Sequence, residues 1–473
     1  MKLYKIQNPF VLTIFGASGD LAKEKLFPAL YALAEQRRFP ENYFIVGFAR
    51  TAKKEQEFRK EFESSIRKKL GKDMDEKILK ELLQHIHYFT GQYGEYESYQ
   101  NYLQYLKKLT GSGKLIHIAY FSVPPQVFKD IIGNLGKIKT ESHDLRLVIE
   151  KPFGQDYRSA TDLFHFISLH FNEKNVYLLD HYLGKTAVQS ILHLRHNNRV
   201  LNQMLKGKEI ANIQITAFEQ SGISSRIGYF DQVGMIKDMI QSHLLQILAL
   251  VTMSIPITET AESLHREKNN ILSSLNFTKN PKNIVLGQYE GYKREKDAPK
   301  GSKTETFAAI RLFIDRESWF NSPIYLRTGK KLNEKHTYLT IEFKKFAFQG
   351  KNEPPDLLNI ELYPEEKLTL KLINRRSSGE SSYKSISTSD SLACEGDDCL
   401  PEHGLLLLDV IRGHKMNFLS FPEILACWKF TEDVLDTIHK NKLKPQTYKN
   451  GSGGPADQHK LTATDNFQWH DLH

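Results

Sequence analysis

Two domains of different build are predicted for this chain of 473 residues. The first, residues 1–187, is an α/β domain on a parallel sheet; the second, residues 188–473, is a larger α+β domain with a mostly antiparallel sheet. Three observations predict this division. Over the first third, short apolar runs alternate with charged helical segments, the pattern of repeated βαβ units. A glycine-bearing turn follows the first of those runs directly and opens a helix. Beyond residue 187 the alternation stops, and strand-like segments separated by polar turns take over.

The strands expected in the first domain are residues 10–15, 43–48, 115–121, 145–149 and 176–179, each a brief apolar run bounded by polar or turn residues. After the second strand, Lys and Arg alternate with Glu while Phe58, Phe62, Ile66 and Leu70 recur every four residues. That spacing describes a solvated helix with one buried stripe. In the second domain a helix over 186–195 leads to a strand at 210–217, then to a long apolar helix over about 233–253. Strands follow at 308–314, 337–343 and 368–373. The serine-rich stretch 375–398 reads as a loop, and the tail 448–457, with its Gly-Ser-Gly-Gly-Pro run, as irregular surface chain.

Composition narrows the function classes. With 40% hydrophobic and 26% charged residues the chain is an ordinary soluble globular protein. Its longest apolar run, 244–253, is broken by Gln246 and Thr252 and is too short to span a bilayer. Near the N-terminus, Lys2, Lys5 and Pro9 precede a short strand rather than the apolar core of a secretion signal, so a cytoplasmic location without membrane attachment is expected. The net charge of +9 is mixed along the chain, which suits polyanionic small molecules and gives no basic stripe for nucleic acid. Three cysteines, Cys394, Cys399 and Cys427, argue against a disulfide framework and for a reducing compartment. Cys394 and Cys399 lack the second ligand pair of a zinc site, so they read as incidental and no metal is expected.

The chemistry-bearing residues sit where the predicted strands end. Gly16-Ala17-Ser18-Gly19-Asp20-Leu21-Ala22 follows the first strand, where glycines let a pyrophosphate approach a helix N-terminus. The second strand is followed by Arg50, with no acid before Glu55. An acid there would bind the ribose hydroxyl of NAD, whereas an arginine suits the 2′-phosphate of NADP. Lys151 lies before Pro152 at the end of the strand 145–149, a position from which it can reach a ligand above the sheet. Asp180-His181-Tyr182-Leu183-Gly184-Lys185 follows the strand 176–179 and reads either as a turn with a helix cap or as an anion site of three donors. His243 shares the apolar stripe of Ile236, Ile240 and Ile247, as a core histidine would, or as a general base beside a carboxylate. On an ideal helix Asp238 would point away from His243, so a shared site requires the helix to begin near or after Asp238.

Taken together, Gly16 to Ala22, Glu150 to Gly154, Asp180 to Lys185, Gly228 to Asp231 and His243 to Gln246 resemble the glucose-6-phosphate dehydrogenase family. So do Gly287 to Tyr289, Lys303 to Ala308, Leu326 to Lys330 and the Gly-Ser-Gly-Gly-Pro tail, in order over nearly the whole chain. The resemblance implies a Rossmann-like coenzyme domain, an α+β domain and a homodimer or homotetramer. It implies oxidation of D-glucose 6-phosphate to the 6-phosphogluconolactone with NADP, the first step of the oxidative pentose phosphate pathway. In the family pattern His243 is the base and Asp180 the carboxylate that orients it. His181, Tyr182 and Lys185 match the phosphate cradle, Lys151 a residue between sugar and coenzyme, Glu219 and Asp238 binders of sugar hydroxyls, and Lys330 and Lys335 basic residues near the substrate. The chain departs from the pattern at Ser242, Thr186 and Tyr363, where Asn, Glu and Gln are common, and over 194–208. These departures leave room for a hexose-phosphate dehydrogenase with another sugar preference, or for a catalytically silent relative.

Overall fold

A strand order of β3-β2-β1-β4-β5-β6 organises the first part of the molecule. The computed structural model describes residues 5–111, 113–139, 143–223, 226–347, 353–375, 383–394, 396 and 399–472. Two compact units result: residues 1–185 with 394–421, and residues 186–393 with 422–473. The segment 394–421, expected in the second domain, thus belongs to the first unit.

In the first unit all six strands run parallel: β1 (Phe10–Phe15), β2 (Tyr43–Ala49), β3 (Ile86–Thr90), β4 (Leu115–Phe121), β5 (His143–Glu150) and β6 (Val176–Leu179). The chain proceeds outward from β1 in one direction, then from β4 in the other. The carboxyl ends of β1 and β4 therefore flank the switch point where ligands bind in such sheets. β1, β4 and β6 are buried at every residue, which explains why they are legible as unbroken apolar runs. The sequence does not mark the strand β3: from Ile86 to Phe89 its residues alternate between buried and partly exposed, with His87 second and the exposed Thr90 last. The helix Glu55–Leu70 buries Phe58, Phe62 and Ile66, as their spacing predicts.

The helix Glu402–Arg412 joins this unit's core through Leu406, Leu407, Val410 and Ile411. Arg146 donates to the carbonyls of Val410 (2.5 Å) and Ile411 (2.9 Å), holding the end of that helix. Just before it, Cys394 and Cys399 form a disulfide across a Cα separation of 5.6 Å, while the buried Cys427 takes no part in it and accepts from Gln246 Nε2 (3.8 Å). The expectation that these two cysteines are incidental is corrected. An odd count speaks against a framework of bridges, but not against one local link between cysteines that a polar turn brings within bonding range.

The second unit is built on a sheet ordered β15-β14-β13-β12-β7-β11-β10-β9-β16. Its strands are β7 (Ile210–Phe218), β8 (Leu275–Asn276), β9 (Ile284–Tyr289), β10 (Phe307–Ile314), β11 (Ile324–Gly329), β12 (His336–Phe343), β13 (Leu357–Tyr363), β14 (Lys367–Arg375), β15 (Tyr383–Ser391) and β16 (Gln446–Tyr448). Only the β7–β11 and β9–β16 pairs are parallel, and β8 pairs with β10 off the main path. β15 corrects the loop expected over 375–398: it pairs antiparallel with β14 from Lys367↔Ser391 to Arg375↔Tyr383. Main-chain pairing rather than apolar side chains makes this edge strand, so hydropathy does not reveal it. Residues 376–382, 395, 397 and 398 of that stretch lie outside the described residues.

The tail is less free than expected. Tyr448 donates to the carbonyl of Lys330 (2.7 Å), and the N–H of Gly451 to that of Lys331 (2.8 Å). The long helix expected over 233–253 is instead three pieces: Ile227–Met235, kinked at Gly234, a π-helix over Ile236–Leu244, and an α-helix over Leu245–Thr252. Among the described residues no helix is long and apolar enough to cross a membrane.

Candidate active site

In the first unit, Phe15 pairs with both Phe48 and Phe121, so Gly16 leaves the sheet at its centre. Gly16 has φ +81°, and a Cβ on it would lie 2.2 Å from the carbonyl oxygen of Ser122. Only glycine fits there. The N–H of Gly19 bonds back to the carbonyl of Gly16 (2.9 Å), closing the turn, and Ala22–Leu26 continues as a π-helical segment into the helix Phe27–Glu35. Ala17 and Ala22 are buried, whereas Ser18, Asp20 and Leu21 are more exposed at the mouth of the turn. The arrangement is a tight turn onto a helical start, the geometry that lets a pyrophosphate approach backbone N–H groups.

Arg50 follows β2, exposed, with its guanidinium 5.6 Å from the Tyr93 ring. The nearest following acid, Glu55, is engaged by Arg59 (2.7 Å) and His87 (3.1 Å). Glu55 is thus already paired, and Arg50 is the charged residue that directly follows β2.

Glu150 pairs with Leu179, so Lys151 and Asp180 leave the sheet on adjacent strands. The Lys151–Pro152 peptide is cis. Behind Lys151, Glu150 accepts a hydrogen bond from Tyr120 and lies 3.8 Å from His403 Nε2. Burial raises the Glu150 carboxyl to about 7 and depresses the His403 imidazole to about 4.

Asp180, 1% exposed, accepts the N–H of Tyr182 at Oδ1 (2.9 Å). The α-helix begins at Thr186, as the sequence predicts, and His181–Gly184 before it is one 3₁₀ turn. The tighter turn still gathers the donors. Lys185 Nζ sits 4.9 Å from the Tyr182 ring, and the His181 and Tyr182 rings meet edge to face at 5.1 Å. Lys185 also lies 3.6 Å from Glu402 Oε1. Glu402, His403 and Tyr120 were not singled out in the sequence, because nothing local to them marks residues that only the fold brings to these strand ends.

In the second unit, Phe218 and Gly329 are register partners on the parallel pair β7–β11. Glu219 and Lys330, the next residues, form an ion pair, with Lys330 6% exposed and 5.5 Å from the Phe230 ring. Lys335, before β12, places Nζ 4.0 Å from the ring of Tyr363.

His243 is 1% exposed and lies near the end of the π-helix, with Asp238 on the same segment. On an α-helix, residues five apart are turned about 140° from each other at roughly 100° per residue. A π-helix closes its hydrogen bonds from i to i+5. Residues five apart on a π-helix, as Asp238 and His243 are, lie closer to one face than they would on an α-helix, a case the ideal-helix expectation leaves out. At the other end of this segment the N–H of Ile236 donates to Glu305 Oε1 (3.1 Å), and burial raises that carboxyl to about 7.

These features can bind a dinucleotide phosphate, hold an anion with His181, Tyr182 and Lys185, and present a sequestered imidazole. A family model described as the NAD-binding domain of glucose-6-phosphate dehydrogenase matches residues 13–190, and one described as the C-terminal domain of that enzyme matches 192–470. The chain is 34% identical to a glucose-6-phosphate 1-dehydrogenase of Chlamydia pneumoniae, over 98% of this chain and 96% of that one. It is 32% identical to the chloroplastic enzyme of Solanum tuberosum, over 98% and 83% of the two chains. A solved glucose-6-phosphate dehydrogenase in complex with its substrate glucose 6-phosphate superposes with a TM-score of 0.91 at 29% identity, covering 99% of this chain and all of that one.

Proposed function

This chain belongs to the glucose-6-phosphate dehydrogenase family, and from that premise we propose how its residues carry out the family's reaction. It oxidises D-glucose 6-phosphate to 6-phospho-D-glucono-1,5-lactone with NADP, the first step of the oxidative pentose phosphate pathway. The observation that carries this function is the match of both family domains along 13–190 and 192–470. When bound, NADP supplies the acceptor for the hydride that leaves C1.

The turn Gly16–Ala22 holds the pyrophosphate, Arg50 the 2′-phosphate, and Lys151 spans coenzyme and sugar. The requirement for glycine at position 16, where a side chain would strike Ser122, supports this fit. His181, Tyr182 and Lys185 hold the substrate phosphate, and Glu219, Asp238, Lys330 and Lys335 bind around the sugar. His243 takes the proton of the C1 hydroxyl, and Asp180 orients the imidazole and stabilises its protonated form. Removing that proton drives electron density toward C1, from which the hydride departs as the carbonyl forms. We further place the protein in the cytoplasm as a homodimer or homotetramer, which its size in solution tests.

The direct test is steady-state reduction of coenzyme by the purified protein with glucose 6-phosphate. Reduction that equals this with unphosphorylated glucose would reject the phosphate cradle. Lys185→Ala is expected to raise KM for the sugar phosphate by the equivalent of about 1.5–3 kcal/mol, the contribution of one hydrogen bond to a charged group. Turnover at saturation should change much less. Arg50→Ala should raise KM for NADP while leaving KM for NAD nearly unchanged, since only NADP carries the 2′-phosphate. A parallel rise for both coenzymes would remove Arg50 from that role.

A further inference from the structure

A carboxyl group is kept where the π-helix Ile236–Leu244 begins. The carbonyl of Glu305 accepts the N–H of Met235 (3.2 Å), and its side-chain Oε1 accepts the N–H of Ile236 (3.1 Å). Gly234 makes room for it: a Cβ there would come within 2.3 Å of Oε1, and its φ of +68° is one that side-chain-bearing residues rarely adopt. Glu305 lies in the lead-in to β10, so a sheet element supplies the acceptor for a helix start.

The energetics make this placement informative. Burial pushes the Glu305 carboxyl up to about 7, with Asp231 adding to the rise and Lys237 opposing it. Retaining a poorly solvated acid therefore costs stability near neutral pH, and a cost borne at one position calls for a return. The first N–H groups of a helix have no partner inside it. A π-helix is the rarer arrangement and competes with the α register of the same residues. The groups that hold the first N–H donors fix where the helix starts, and a fixed start constrains the register its side chains follow.

We propose that Glu305 is a positioning residue for His243: by holding the N–H of Ile236 it anchors the π register and keeps Asp238 and His243 on a common face. This rests on the reading of His243 as the base. Glu305 touches neither substrate nor coenzyme in this scheme and acts only through the helix.

The test compares Glu305→Ala, Glu305→Asp and Glu305→Gln in the full-length protein, alongside His243→Asn. Glutamine keeps the reach and an oxygen acceptor without the charge. Aspartate keeps the charge but is one methylene short of Ile236. The alanine and aspartate variants are expected to lose about tenfold in kcat, or about 1.4 kcal/mol in the barrier, with KM for NADP within about twofold of the parent. The glutamine variant should stay within about threefold of the parent in kcat. Parental kcat in the alanine and aspartate variants, even with lowered thermal stability, would overturn the proposal and leave Glu305 a merely structural group. A glutamine variant as impaired as the aspartate one would overturn it too, since charge rather than the hydrogen bond would then matter. If the alanine variant does not fold, the aspartate–glutamine contrast decides alone. Full turnover in His243→Asn would instead remove the base assignment, and the Glu305 role with it.

Discussion

Replacing His243 with asparagine is expected to lower kcat by about 10²–10⁴-fold, the usual contribution of a positioned general base. That range corresponds to roughly 2.7–5.5 kcal/mol of barrier. Asparagine is polar and of similar size, so the pocket around a residue only 1% exposed keeps its shape while losing the basic nitrogen. KM for glucose 6-phosphate and for NADP should therefore change little, because the proposed scheme assigns the phosphate to His181, Tyr182 and Lys185 and the coenzyme to the glycine turn. Steady-state kinetics with both substrates varied separates the two effects. A variant with unchanged kcat would exclude His243 as the base, and a large rise in KM with unchanged kcat would reassign it to binding.

Arg327→Ala is expected to destabilise the second unit by about 3–5 kcal/mol, from lost packing together with buried acceptors left without a donor. Arg327 is 2% exposed and its hydrogen bonds converge from several elements. Nε donates to Thr216 Oγ1 (2.9 Å), and Nη1 to Gln458 Oε1 (3.1 Å). Nη2 donates to Tyr338 (3.1 Å) and also binds Asp471. The guanidinium lies 4.0 Å from the ring of Trp469 and 4.8 Å from that of Phe218. Truncation leaves acceptors without a donor and removes the plane on which Trp469 rests. Thermal or denaturant unfolding reads the loss directly. Asp471→Asn, which keeps a hydrogen-bonding oxygen at a position that is 40% exposed, should cost far less. Equal losses for both variants would show that the ion pair, not the convergence of bonds and rings on Arg327, carries the stability.

Sequence and structure divide the molecule differently in its two units. β1, β4 and β6 are fully buried, so their apolar runs stand out and their limits agree with those expected from the sequence. The strand β3 is half polar and was missed, as was β15, whose serines and threonines carry no burial signal. The glycine turn was legible because its chemistry is local: a backbone at φ +81° with no room for a side chain needs glycine wherever it occurs. Asp180 to Lys185 was legible for the same reason, since its donors lie within a few residues of one strand end.

What lay hidden was everything set by distant parts of the chain. Glu402 and His403, more than two hundred residues after Lys185 and Glu150 in numbering, come beside them because the segment 394–421 packs into the first unit. Glu305 reaches Ile236 only because the lead-in to β10 passes the start of that helix.

By itself, then, the sequence determined the parallel sheet, the glycine turn, the choice of residue types at the strand ends and the family to which the chain belongs. The tertiary structure alone decided the π register of the segment that carries Asp238 and His243. Hydropathy spaced every three or four residues describes an apolar face but does not distinguish an α from a π register, because both bury the same isoleucines. Hydrogen-bond partners at the helix start make that choice, and Glu305 is supplied from another element of the fold.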